Sequence, residues 1–88
     1  MVLSSLRLDK YLKISRLIKR RTVAKEAAIK DRIEINSKLA KPSTNIKLND
    51  IITLYLGSKI IKIRVTSLVV LKDELMYELL SQEKRISD

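Results

Sequence analysis

The chain has 88 residues and a mass of 10.2 kDa, room for one compact domain and not for an enzyme built from separate cofactor and substrate domains. Hydrophobic residues make up 45% and include 14 Leu, 12 Ile and 5 Val, too many for a disordered tail, while the absence of Cys and His excludes disulfide frameworks, thiolate or imidazole metal sites and His-dependent triads. Nineteen Lys and Arg against ten Asp and Glu give a net charge of +9 and a pI near 10.0, which makes a polyanion the default partner.

Residues 1–30 hold nine basic groups against Asp9 and Glu26, a net +7, whereas residues 31–88 hold ten against eight, a net +2. The first third is therefore the binding third. From Leu8 to Ile18 the apolar positions Leu8, Tyr11, Leu12, Ile14, Leu17 and Ile18 recur at three and four residue spacing, which predicts a helix over 8–18 with one buried side. Asp9 falls in its first turn, where a carboxylate suits the positive end of the helix dipole. The run Lys19, Arg20, Arg21 interrupts the pattern, and Thr22 is a candidate N-cap for a second helix over 22–29. Its small residues Ala24, Ala27 and Ala28 allow close approach to the first helix.

After Asp31 the pattern changes to alternation. Ile33 and Ile35 oppose Arg32 and Glu34, a short strand ending at an Asn36-Ser37 turn. Residues 41–49, with Pro42, Ser43, Thr44 and Asn45, read as a loop. Residues 51–56 and 59–65 read as a hairpin turning at Gly57-Ser58, and 67–71 as a further strand. Residues 75–85 fit either a strand or a terminal helix, and both readings stay open. The longest uncharged stretches in the body of the chain, 51–58 and 65–71, fall far short of the roughly 20 apolar residues that cross a bilayer. Residues 1–6 show neither a basic start nor a long apolar segment. No membrane association and a cytoplasmic location are expected.

The run RLDKYLKISRLIKRRTVAKEA from Arg7 to Ala27, followed by RIEIN from Arg32 to Asn36 and AKPS from Ala40 to Ser43, resembles the RNA-binding domain first described in ribosomal protein S4. The ordered combination is more specific than any one piece. It is most similar to stand-alone bacterial proteins of the RqcP type, related to the ribosome-associated heat-shock S4 proteins. The similarity covers residues 7–66 as an S4-type domain, with 67–88 an extension completing or packing on the sheet. The resemblance implies an α+β fold, two packed N-terminal helices on a small, twisted, mainly antiparallel sheet, in agreement with the order read from periodicity. The chain departs from the family where glycine is common, at Asp31, Ser37 and Asn49. Asp and Asn tolerate positive φ better than most residues, and Ser37 is the least suited.

The same resemblance implies binding of large-subunit rRNA and peptidyl-tRNA, steadying the tRNA while an RqcH-type partner directs C-terminal alanine tailing of stalled chains. It implies no enzyme activity and no cofactor, and the chain is expected to be a monomer. Arg7, Asp9, Lys10, Arg16, Lys19, Arg20 and Arg21 inherit the binding role by position in the motif. Structured RNA is recognised mostly by shape, through phosphates and hydroxyls that Arg forks and Lys point charges suit. The dense run 19–21 beside a helix start is costly without an anion. Lys10, Lys13 and Lys25 fit a phosphate surface or a solvated helix face equally, and Lys38 and Lys41 either extend the footprint or are solvated. For Asp9, dipole complement or partner to Arg7 outweighs RNA contact, and Tyr11 favours core packing over base stacking. Competing readings are an S4-type binder acting in ribosome assembly or heat-shock recycling of large subunits, an enzyme acting through a partner chain, and a DNA-binding helix-turn-helix. The Ala40-to-Ser43 loop and the following hairpin favour RNA over the last.

Overall fold

The fold is taken from a computed structural model, in which residues 4–84 are described. Two short helices, α1 (Leu8–Ile14) and α2 (Arg21–Ile29), pack on a five-stranded sheet. The strands are β1 (Leu6–Arg7), β2 (Ile33–Ile35), β3 (Lys38–Leu39), β4 (Asn45–Ile46), β5 (Ile51–Leu56), β6 (Lys59–Val65) and β7 (Tyr77–Lys84). The large sheet runs β3-β2-β5-β6-β7 with every neighbour antiparallel, and β1 pairs with β4 as a separate two-stranded unit. This is the expected α+β architecture.

The core follows from the two periodicities. Leu8, Tyr11 and Leu12 on α1 and Ala24, Ala27 and Ala28 on α2 face the alternate residues Ile33, Ile35, Ile52, Leu54, Ile63 and Val65 of the sheet. The three alanines let the helices approach closely, and truncating Leu12 to Ala would cost about 2–5 kcal/mol at a site with this burial. Tyr11 has no exposed surface and its hydroxyl donates to the Met76 carbonyl at 2.7 Å, tying α1 to the chain just before β7. Burial, with Tyr77 nearby, pushes its pKa well above the ordinary range.

Five expectations need correction or completion. The first helix ends at Ile14, not Ile18: Ser15 is its C-cap and Arg16 takes φ 67, so the chain turns away from the helix axis. Ile18 is still buried, its N–H bonded to the Leu12 carbonyl at 3.0 Å, which is why the apolar spacing continued through the turn. The second helix is capped by Arg20 without a side-chain cap, and Thr22 lies inside it. Residues 67–71 are not a strand, because the Ser67 hydroxyl bonds both the N–H and the carbonyl of Val69 and curls the chain. Residues Tyr77–Lys84 are a strand, settling that ambiguity for the described residues. The loop 41–49 holds β4, whose Ile46 is fully buried, and the carbonyls of Thr44 and Pro42 accept the N–H groups of Leu8 and Asp9 at 2.8 and 3.1 Å. That loop satisfies the first orphan donors of α1.

Asp31, Ser37 and Asn49, the three positions where glycine was missed, all have positive φ, at 58°, 70° and 73°. Asn36 joins Ser37 at 52°, giving the two-residue hairpin turn whose twist matches its strands. Ser37 is held there because Asn36 is pinned. Its N–H bonds the Ile51 carbonyl at 2.7 Å, its Oδ1 accepts the Ile51 N–H at 2.9 Å, and its Nδ2 donates to Asp50 at 3.1 Å. In β7 the register shifts after Lys62↔Ser81 to Ile63↔Leu79, leaving Leu80 as the extra residue of a β-bulge on an outer strand.

Candidate RNA-binding surface

The surface is organised around Asp9. It is 2% exposed, yet it sits in the first turn of α1 beneath two guanidinium groups. Arg7 donates to it through Nε and Nη2, both at 3.2 Å, the Lys10 N–H donates at 2.8 Å, and Nε of Arg21 on α2 stands 3.4 Å away. Burial alone raises the pKa of Asp9. The hydrogen bonds from Arg7, Arg21 and the Lys10 amide, with the charge of Arg21, outweigh it and hold the carboxyl below its ordinary value. One charged oxygen pair thus joins the two helices and fixes two arginines that remain 49% and 47% exposed.

Asp9 therefore differs from the other candidate binding residues. Its oxygens are engaged by arginine and amide donors, so it holds Arg7 and Arg21 in place and presents no oxygen of its own. The remaining candidates are exposed cations that fall into groups. Lys13, Arg16 and Lys19 line a groove of about 500 Å³ at the far end of α1, with Ile14 and Val70. Arg7, Lys25 and Lys41 line a second groove of about 470 Å³ at its near end, with Asp31 and Pro42. Lys10, Arg20 and Lys38 are exposed but line neither groove. Among the described residues, Arg7 and Arg21 are the only two of the ten candidate cations with a carboxylate partner.

Arg16 carries the clearest local cost. It stands at the helix C′ position with φ 67, where glycine is preferred and a side chain costs about 1 kcal/mol. Arg16 thus holds an exposed cation at a position that glycine would occupy with less strain.

The bond between Arg21 and Asp9 spans two helices and has no local sequence signature. Val70 was also missed, because the uncharged run 65–71 reads as strand while the structure leaves Val69 and Val70 exposed on the connection to β7. Among the described residues no group of acids could hold a metal ion, and no helix is long and apolar enough to cross a membrane.

The S4 domain family matches residues 6–52. The chain is 47% identical over 86 residues to the RQC P-site tRNA stabilizing factor of Streptococcus pneumoniae, covering 90% of this chain and 94% of that protein. Identity to the factor of the same name from Bacillus subtilis is 47% over 83 residues, covering 90% and 96%, and to that of Listeria monocytogenes 54% over 65 residues, covering 74% and 71%. The trimeric structure of heat shock protein 15 from Vibrio cholerae superposes with a TM-score of 0.77 at 24% identity, covering 88% of this chain and 83% of that one, a likeness of fold.

Proposed function

The chain belongs to the S4 domain family and, within it, to the RQC P-site tRNA stabilizing factors, and from that premise we propose that it binds large-subunit rRNA and P-site peptidyl-tRNA together. It steadies the tRNA on large subunits that still carry a stalled nascent chain, while an RqcH-type partner on the same subunit directs alanine tailing. It acts in the cytoplasm as a monomer, by binding, without catalysis and without a cofactor.

The observation that carries this reading is the concentration of cations at both ends of one short helix, most of them without a carboxylate partner among the described residues. Positive charge at this density attracts phosphate, and two separate grooves offer places for two RNA segments at once. Two weak contacts made together gain effective concentration, so loss of the tRNA costs more than its few contacts suggest.

The test is co-sedimentation of the full chain with large subunits carrying peptidyl-tRNA, with empty large subunits and with intact ribosomes. Preference for the loaded subunit is expected, and deletion of the gene should suppress alanine tails on stalled chains. Equal binding to loaded and empty subunits with normal tailing would favour a role in ribosome assembly instead.

A further inference from the structure

The groove at the far end of α1 has one wall outside the segment matched by the S4 domain, which ends at residue 52. That wall is Val70, 68% exposed, on the connection between β6 and β7. Facing it are Ile14 and the cations Lys13, Arg16 and Lys19, and among the described residues no carboxylate lines this part. None of the three cations has an ion-pair partner among the described residues. An adjoining hollow of about 540 Å³ shares Ile14, Arg16 and Val70 and continues past Lys72 to Asp73 and Glu74.

This combination selects among anionic ligands. A paired A-form stem presents phosphates and hydroxyls, with its bases stacked out of reach, so it satisfies the cations and leaves the aliphatic wall in water. A free anion does the same. A continuous single strand would run its phosphates on past Lys72 to Asp73 and Glu74, where the cationic track ends and two carboxylates repel them. What matches is short, with one anionic end and one flat apolar body.

We propose that this groove takes a single unpaired nucleotide of the bound RNA, with its phosphate among Lys13, Arg16 and Lys19 and its base against Ile14 and Val70. The inference rests on the RNA-binding reading above and narrows its ligand from structured RNA in general to RNA carrying an extruded base. Apolar contact with a base face is tolerant of which base is offered, so the site distinguishes unpaired from paired nucleotides more than one base from another.

The test uses the full chain and two labelled RNA hairpins, one with a fully paired stem and one identical except for a single unpaired adenosine in the stem. Aromatic platforms give larger gains, so an aliphatic wall should make the bulged hairpin bind about fivefold tighter in fluorescence anisotropy. Val70→Asn, at an exposed position that leaves the core intact, should bind both hairpins with the affinity of the wild type for the paired one. Equal binding of the two hairpins by the wild-type chain, or a preference undiminished in Val70→Asn, would overturn the proposal. Failure to bind either hairpin would instead remove the RNA-binding reading, and this inference with it. A Val70→Asn chain that keeps the hairpin preference yet loses large subunits would assign Val70 to a protein contact and overturn the proposal as well.

Discussion

The two ends of α1 hold their positive charge in different ways. At the start, Arg7 and Arg21 are braced on the buried carboxylate of Asp9, with their forks fixed before any ligand arrives. At the far end, Lys13, Arg16 and Lys19 have no carboxylate partner among the described residues and stand around an open groove. Bracing gives up part of the charge in return for preorganisation, because donors already in place lose less side-chain entropy on binding. The unbraced end keeps its full attraction for phosphate and must order its side chains when the ligand comes. A rigid cluster and an adaptable one thus stand at the two ends of a single seven-residue helix.

The comparison is broken most strongly by removing the unbraced end. Changing Lys13, Arg16 and Lys19 together to Ala should weaken association with large subunits by about 10³-fold, since each of three charged hydrogen bonds lost is worth roughly 1.5 kcal/mol. The thermal midpoint should hold, because exposed charges contribute little to folding. The dependence of log affinity on log salt should also become shallower by about two to three units, three fewer phosphates at roughly 0.7–0.9 each. An unchanged salt slope would show that these residues do not touch phosphate.

Asp9→Ala tests the braced end, and simple charge counting gives the wrong sign for it. Removing a negative charge from a cationic surface should strengthen RNA binding. If Asp9 is a brace, binding instead falls by about tenfold and stability drops by about 2 kcal/mol, because Arg7, Arg21 and the Lys10 amide lose a shared acceptor. Tighter binding by Asp9→Ala would discard the brace. The same bond shows that Arg20→Ala and Arg21→Ala should separate in thermal denaturation, with Arg21→Ala lowering the midpoint and Arg20→Ala leaving it in place.

A smaller effect appears in acid. The pKa of Asp9 is lowered from 3.8 in the fold, so its contribution is fully present above the unfolded value and is lost as pH falls through the folded one. The stability gap between the wild type and Asp9→Asn should therefore be constant near neutrality and close only below pH 3.8. Urea denaturation at a series of pH values reads this directly, and a gap that closes near pH 6 would assign it to another group.

The smallest effect sharpens the view of Arg16. Replacing it by Gly relieves the left-handed strain and should raise stability by about 0.5–1 kcal/mol while weakening RNA binding. A variant that is both less stable and equally able to bind would remove the case for Arg16 as a residue kept for use.

The helical pair and the central hairpin were legible because their apolar residues keep one period over five residues or more, as in Leu8, Tyr11, Leu12 and again in Ile61, Ile63, Val65. The end of α1 was not, since Leu17 and Ile18 continue the spacing after the backbone has turned at Arg16. Two-residue strands such as β1 and β4 carry no period at all, and their pairing depends on the loop carbonyls that meet Leu8 and Asp9. Charge density singled out the first third of the chain. It could not separate braced from unbraced cations, because Asp9 and Arg21 meet across two helices.

Leu80 has a consequence for how this protein behaves at high concentration. An outer strand of eight residues carrying exposed Leu79 and Leu80 is a template on which further strands could assemble edge to edge. The extra residue at Leu80 interrupts its hydrogen-bonding repeat midway, so an incoming strand can align with Tyr77 to Leu79 or with Ser81 to Lys84, but not with both in one register. Glu78, Glu83 and Lys84 place charge in both halves. A highly basic chain that RNA gathers locally is thereby protected against fibrous self-association by one residue out of step.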